Sequence, residues 1–171
     1  MIYPIANSGQ RVIFSDEVLA HFAKYRQIRW WQREAGGQLF AQFKLPDIVV
    51  VEATGPRPGD SRSRYGYRPD RKAEQREIVD RHAKGLHFVG DWHTHPEDLP
   101  TPSGSDEESI KEAFVQSRHV LNAFLLVITG RLPPPQGLAL WIYDGSNRLR
   151  LSPLGSPTSE VRKTGRVIRW I

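Results

Sequence analysis

Two histidines, His93 and His95, end an apolar segment that has the composition of a buried strand. Side chains alternate across an extended chain, so positions i and i+2 point to the same side and both imidazoles can reach one cation. Asp106 follows after a proline-rich loop, in the first turn of a predicted helix, where backbone N–H groups help to hold a carboxylate. Two imidazoles and one carboxylate are a ligand set of catalytic zinc, which keeps a further position for water.

Each half of this pattern also has an ordinary structural explanation. A lone His-x-His pair is usually a surface or structural feature. Ser103 and Asp106 have the spacing of a capping pair at a helix start, and so do Ser105 and Glu108. Capping and metal ligation can coexist, however. The joint spacing of two histidines, a serine and an aspartate favours the metal site, because the whole string would seldom arise by chance.

Glu34 is a carboxylate upstream of this pattern. It precedes a Gly36-Gly37 pair and a predicted strand. Taken alone, it would be interpreted as an exposed residue at a helix end. The chain has no cysteine, so thiolate nucleophiles and cysteine-based metal sites are excluded. A hydrolase built from these residues would need a metal-activated water, and a lone carboxylate is the natural base for it.

Other residues near the pattern have less specific interpretations. Asp91 is either a hydrogen-bonding partner of a ligand imidazole or a polar residue at the sheet edge, and we favour the sheet edge. Trp30 and Trp31 are expected to pack into the core rather than to recognise a partner. The remaining histidines share no spacing and are expected to be ordinary surface or core residues: His21, His82, His87 and His119.

Charge and hydropathy limit location and partners. The net charge of the 171-residue chain is +5, with seven basic against three acidic residues between Arg57 and Arg76. From Arg148 onward there are six basic residues against Glu160 alone. Such blocks are more often solvated faces than nucleic-acid sites, so nucleic acid is not the expected partner. The longest apolar run is too short to cross a bilayer and the N-terminus lacks the pattern of a secretory signal, which predicts a cytoplasmic location without membrane partners.

Hydrophobic periodicity predicts an α/β (α+β) chain with a mixed sheet flanked by helices, rather than a parallel doubly wound sheet. We expect a single domain over residues 1–171 with a flexible segment at 152–166. The predicted helices are Ser15–Trp31, Arg71–Lys84 and Ser105–Ser117. The predicted strands are Gln38–Phe43, Ile48–Ala53, Phe88–Trp92, Asn122–Thr129, Leu138–Tyr143 and Val167–Ile171. The predicted loops are Thr54–Pro69 and Leu132–Gly137.

The motif His93-Thr94-His95-Pro96, seven residues to Ser103 and then Asp106, resembles the signature of the JAMM (MPN-plus) metallopeptidases. Glu34-Ala35-Gly36-Gly37 is similar to the family's upstream glutamate element, and the resemblance covers roughly residues 10 to 145. It implies a curved, cytidine-deaminase-like mixed sheet. It also implies that His93, His95 and Asp106 ligate zinc, Zn2+. Glu34 would act as general base, and Ser103 would donate a hydrogen bond to the oxyanion.

Members of that family cleave amide bonds at the C-termini of ubiquitin-like proteins, so the resemblance implies a deubiquitinase-like isopeptidase. This short form is similar to the deconjugating peptidases of CBASS-type anti-phage operons, which implies an E1/E2-like conjugating enzyme and a nucleotidyltransferase as partners. The loops at 54–69 and 97–102 would line the substrate groove. Arg57, Arg62 and Arg64 are expected to meet acidic substrate groups there.

Three alternatives remain open at this stage. The peptidase could process a sulfur-carrier protein or act in a phage tail. A pI near 9.7 also permits a basic, DNA-associated binding module. A catalytically silent scaffold is disfavoured, because no position of the motif is missing. The conjugated protein, the bond type and the oligomeric state do not follow from the sequence.

Overall fold

A computed structural model of the chain describes residues 1–5 and 7–155. Its helices are α1 (Asp16–Tyr25), α2 (Arg71–His82) and α3 (Gly104–Gln116). Its strands are β1 (Ile2–Pro4), β2 (Arg11–Phe14), β3 (Gly36–Lys44), β4 (Asp47–Ala53), β5 (Ser61–Ser63), β6 (Gly66–Arg68), β7 (His87–Thr94), β8 (Phe124–Thr129), β9 (Leu138–Tyr143) and β10 (Arg148–Leu151). The predicted late strand at 167–171 and most of the predicted flexible segment lie outside the described residues.

Eight strands form one sheet in the order β1-β2-β4-β3-β7-β8-β9-β10, and β5 pairs with β6 in a separate hairpin. The pairs β2–β4 and β7–β8 are parallel, and the other neighbours are antiparallel. The connection between β7 and β8 contains α3, as a parallel crossover requires. The mixed sheet flanked by helices confirms the predicted fold class.

Helix α1 covers one face of the sheet through an aromatic cluster. Ser15 caps its N-terminus by accepting a hydrogen bond from the Val18 N–H. The buried Trp92 of β7 contacts the rings of Phe22 and Tyr25, with centroids 5.2 and 5.9 Å apart. Its indole Nε1 donates to the Thr54 carbonyl at 2.8 Å, which satisfies its one polar group. This face is therefore an apolar core.

Helices α2 and α3 lie on the opposite face. Phe114 of α3 contacts Phe124 of β8 with ring centroids 5.2 Å apart. Helix α2 is capped by Asp70 and has no apolar stripe, since its one buried residue is Glu74. It is attached by charge instead: Arg57 donates to both carboxylate oxygens of Glu77 at 3.0 and 2.5 Å and lies 3.7 Å from Glu74.

Two predictions around the first helix are wrong. Helix α1 ends at Tyr25, because Arg26 leaves the helical region with ψ of 136°. The buried Gln27 then holds the following turn by donating to the carbonyls of Gln32 and Arg64. Trp30 and Trp31 consequently project into solvent instead of packing into the core.

The other differences concern short or central strands. The predicted loop at 54–69 contains the β5–β6 hairpin, and β1, β2 and β10 were not predicted. Asp91 is not at a sheet edge, because β7 lies in the middle of the sheet between β3 and β8. The remaining predicted helices and strands among the described residues are confirmed to within a few residues. No helix in that part of the chain is long and apolar enough to span a membrane.

Candidate active site

The two histidines are fixed by backbone hydrogen bonds where β7 ends. His93 pairs in register with Gly36 of β3 and with Ile128 of β8. Thr94 donates its N–H to the Ala35 carbonyl at 2.8 Å, and its hydroxyl accepts from the Ala35 N–H at 3.0 Å. The His95 N–H donates to the Thr129 carbonyl at 2.9 Å. The main chain that carries both imidazoles is therefore fixed by its neighbours on either side.

Asp106 is held by the start of α3. Ser103 is the N-cap, and its hydroxyl accepts from the Asp106 N–H while the Ser103 N–H donates to Asp106 Oδ2 at 2.7 Å. This is a reciprocal capping box, so the capping explanation of these residues is correct. It also fixes the rotamer of Asp106, both of whose carboxylate oxygens face the histidines. Capping and convergence on the histidines occur together.

The side chains of His93, His95 and Asp106 converge on one point. Their nearest atoms all lie within 4.8 Å of one another. The two Nε2 atoms are 3.0 Å apart, and they lie 3.2 and 3.3 Å from the Asp106 carboxylate oxygens. A tetrahedral ion with bonds of about 2.0–2.1 Å separates its ligands by roughly 3.3 Å. The spacing and chemistry of these donors therefore fit a small divalent cation.

Glu34 borders the same cavity from the segment just before β3. Its N–H donates to the Ser63 carbonyl at 2.7 Å, and its own carbonyl accepts from Arg62 Nε at 2.5 Å. The β5–β6 hairpin thus clamps the Glu34 backbone from both sides. The residue is only 6% exposed, although the sequence alone favoured an exposed position. Glu34 is also not a helix-end residue, because it lies nine residues beyond the end of α1 at Tyr25.

The glycines after Glu34 allow close backbone approach. A Cβ on Gly37 would lie 2.0 Å from the Thr54 carbonyl oxygen. A Cβ on Gly36 would lie 2.6 Å from the Tyr67 ring and 2.8 Å from the Trp92 carbonyl. Larger residues would push β3 away from both neighbours. The Gly-Gly pair therefore sets the distance between the Glu34 segment, the hairpin and β7.

The electrostatics of the site separate the two kinds of carboxylate. Burial raises the pKa of Glu34 to about 7, and the charges of Asp106 and Glu97 add to this while His95 opposes it. Burial would also raise the pKa of Asp106, but hydrogen bonds from His93, His95 and Ser103 hold it well below its usual range. Asp106 is therefore a permanent anion, and Glu34 can exchange a proton near neutral pH.

The cavity has a volume of about 460 Å³. Tyr65 and Tyr67 of the hairpin region, Glu97, Ser103 and the start of α3 line it beside the metal-ligand candidates. The predicted loop at 54–69 therefore forms one wall, and the 97–102 loop contributes only its first residue.

The three arginines predicted to face the cavity have different environments. Arg57 cannot meet a substrate, because its side chain is 8% exposed and occupied by Glu77, Glu74 and Asp60. Arg62 supports the Glu34 backbone. Arg64 remains on the surface, where its guanidinium stacks against Tyr65.

Asp91 and Glu74 form a second polar feature of the cavity wall. Burial and the neighbouring charge of Glu74 raise the pKa of Asp91 to about 7. Arg71 donates to Glu74 at 3.0 Å and partly balances this charge.

His119 lies outside this cavity. Its two ring nitrogens are hydrogen-bonded to the carbonyls of Phe114 and Leu121, so this histidine is structural, as expected.

Comparison with known proteins gives a consistent result. Residues 16–143 match the family described as prokaryotic homologs of the JAB domain. A protein of Vibrio cholerae named CD-NTase/cGAS isopeptidase is 32% identical over 125 residues, which are 70% of this chain and 76% of that protein. A protein of the same name from Escherichia coli is 29% identical over 130 residues, 74% of this chain and 81% of the relative.

A solved structure supports the fold. The solution structure of a protein from Desulfitobacterium hafniense superposes with a TM-score of 0.57 at 18% identity, covering 81% of this chain and 88% of that protein. At this identity the likeness concerns the fold alone.

Proposed function

This chain belongs to the family of prokaryotic homologs of the JAB domain and is a JAMM-type peptidase. From this premise we propose that it is a zinc isopeptidase of anti-phage defence. The carrying observation is the convergence of His93, His95 and Asp106 on one point of the cavity that Glu34 borders. The relatives are named CD-NTase/cGAS isopeptidases, and on this basis we propose that the substrate is a CD-NTase whose C-terminal carbonyl is joined to an amine of another protein.

His93, His95 and Asp106 are the proposed zinc ligands. When bound, zinc lowers the pKa of a coordinated water and polarises the substrate carbonyl. The two imidazoles must be neutral at Nε2 to ligate, so their protons belong on Nδ1. Glu97 lies 3.9 Å from Nδ1 of His95, which favours that tautomer. The anionic Asp106 supplies the one negative charge of the ligand set.

Glu34 is the proposed proton carrier. Its carboxylate takes a proton from the attacking water and returns it to the departing amine. Burial raises the pKa of Glu34 in the metal-free protein, which makes its carboxylate a stronger proton acceptor for the first transfer. The two backbone bonds from the hairpin keep the carboxylate in the cavity during the exchange.

Ser103 is the proposed oxyanion donor. Its hydroxyl now donates to Asp106 Oδ2 at 2.7 Å, and rotation about the side chain would redirect it to a substrate oxygen. A charge that develops on the carbonyl oxygen strengthens such a bond in the transition state. Ser103 therefore has two proposed roles: it orients Asp106 in the resting protein and stabilises charge during the reaction.

The experiment uses a CD-NTase fused at its C-terminus to a reporter protein. Incubation with the zinc-loaded protein should release the reporter, with mass spectrometry placing the cut at the last CD-NTase residue. A fusion of a sulfur-carrier protein ending in Gly-Gly is the control for the processing alternative. Cleavage of that control alone, or cleavage of neither fusion, would contradict the proposed substrate. Family membership argues against a DNA-associated binding module.

A further inference from the structure

An exposed aromatic surface adjoins the cavity. Trp30, Trp31 and Tyr65 are 76%, 61% and 76% exposed, and Arg29 and Arg64 flank them. We call these five residues the aromatic platform. The Trp30 and Trp31 rings are perpendicular with centroids 5.8 Å apart. Arg29 lies 5.8 Å above the Trp31 ring, and Arg64 lies 5.3 Å above the Tyr65 ring.

The platform is held in place although it lacks regular structure. Arg64 donates to the Trp30 carbonyl, and the Gln32 side chain accepts from the Arg29 N–H at 2.7 Å. The buried Gln27 bonds the carbonyls of Gln32 and Arg64 and accepts from the Thr94 hydroxyl at 3.0 Å. Thr94 stands between the two candidate metal ligands. The platform is therefore connected to the site by a buried hydrogen-bond chain.

The composition of the platform is that of a protein-binding surface. Two tryptophans that each bury some 150–250 Å² when covered are held in water, beside charged groups. Trp, Tyr and Arg are the residues enriched where a few side chains provide most of the binding energy. Nothing in the sequence from 26 to 33 or from 61 to 68 is acidic, whereas each segment has three arginines. The charge therefore selects an acidic partner.

We propose that the aromatic platform binds an acidic face on the folded body of the protein substrate while the tail of that protein occupies the cavity. The position supports this, because Tyr65 belongs to both the platform and the cavity wall. The inference rests on the proposed function and adds a second contact to it. It predicts that the surface contributes to recognition of the whole protein and not to the chemical step.

The test compares two substrates that share one tail. One is the full-length CD-NTase fused to the reporter, and the other is a synthetic peptide of its last twelve residues or so with a C-terminal fluorophore. The double variant Trp30→Ala/Trp31→Ala should raise KM for the full-length substrate by about tenfold to a hundredfold. Its kcat, and both constants for the peptide, should stay within about twofold of wild type.

Charge reversal provides a second variant. Arg29→Glu leaves the buried hydrogen-bond chain intact and should raise KM for the full-length substrate most at low salt. The controls are Leu45→Ala for an exposed apolar residue and Arg76→Glu for an exposed arginine; neither residue belongs to the platform or lines the cavity. Neither control should change the KM for the full-length substrate relative to the KM for the peptide.

Several results would overturn the proposal. Equal losses on both substrates would mean that the tryptophans act only through the Glu34 segment, and unchanged constants would mean that they bind nothing. Loss of labelled single-stranded DNA binding, or of a dimer, in place of the KM effect would assign the platform to those partners. If wild type cleaves neither substrate, the proposed function falls as well. If wild type cleaves both substrates and the Trp30→Ala/Trp31→Ala variant leaves the ratio of their KM values unchanged, only the proposed role of the platform is contradicted.

Discussion

Trp92 and His93 are neighbours on β7, yet they belong to opposite faces of the molecule. Trp92 is sealed under α1 by aromatic rings and makes one hydrogen bond through its indole. His93 faces the cavity, with an imidazole and a carboxylate within 3.2 Å. Around Trp92 the sheet packs through apolar contacts, whereas around His93 the opposite face is held by charges and hydrogen bonds, with apolar packing of α3 further along at Phe114 and Phe124.

This difference teaches that stability and chemistry are divided between the two faces. Burial of apolar side chains on the α1 face stabilises the fold, and this free energy offsets the destabilising effect of partly buried ionisable groups on the other face. Even α2, which covers the polar face, is attached through Arg57 rather than an apolar stripe. Substitutions on the two faces should therefore have effects of different kind as well as size.

The largest expected effect is on the apolar face. Trp92→Ala should lower the free energy of unfolding by about 3–5 kcal/mol, because it leaves a large cavity and an unpaired carbonyl. Urea titration followed by circular dichroism measures the change. A loss below about 1 kcal/mol would show that α1 does not depend on this cluster.

The next effect concerns the charged attachment of α2. Arg57→Met keeps the apolar stem but removes the cation that Glu77, Glu74 and Asp60 share, although Arg71 still pairs with Glu74. The loss should cost about 2–4 kcal/mol. The matched control is Arg11→Met, which removes an exposed pair with Asp47 and should change stability much less. Urea titration of both variants gives the comparison. Equal losses would contradict the view that the polar face depends on a buried ion cluster.

The smallest effect has the opposite sign. Glu34→Gln should stabilise the metal-free protein at pH 8 by on the order of 1–3 kcal/mol, because it removes a buried carboxylate whose folded pKa of about 7 exceeds its unfolded value. Wild-type stability from this group is complete below the unfolded pKa and declines as pH rises toward 7 and above. At pH 5 the variant and wild type should therefore be nearly equal. Thermal unfolding at both pH values, with chelator present, decides the point.

The sequence predicted the metal-ligand candidates because their pattern is local. Alternation on a strand places His93 and His95 on one side, and a capping box identifies Ser103 and Asp106 at the helix start. The convergence of the two pieces needs only the parallel β7–β8 crossover through α3. The prediction of these four residues therefore did not depend on predicting the other strands and helices correctly.

What the sequence did not predict depends on distant contacts. The sequence pattern of α1 continues to Trp31, but the structure has a turn after Tyr25. Gln27 holds this turn by donating hydrogen bonds to the carbonyls of Gln32 and of Arg64, which is 37 residues away. The burial of Arg57 depends on carboxylates that come from α2. Asp91 is a charged residue and was therefore expected at the edge of the sheet, but the strand order places its strand, β7, in the middle of the sheet. Local patterns carry none of this information.

The central claim is that Glu34 and a bound zinc act together at one site. The direct measurement is to remove metal from the protein with a chelator and titrate zinc back while following cleavage of the fluorogenic tail peptide. The wild-type protein should not cleave the peptide after its metal has been removed, and it should regain full activity at one zinc per chain. Glu34→Gln should bind zinc equally but cleave at least about a hundredfold more slowly. His87→Ala, an exposed histidine of the same strand, should behave as wild type. Cleavage by the stripped protein, or a Glu34→Gln variant as fast as wild type, would contradict the account.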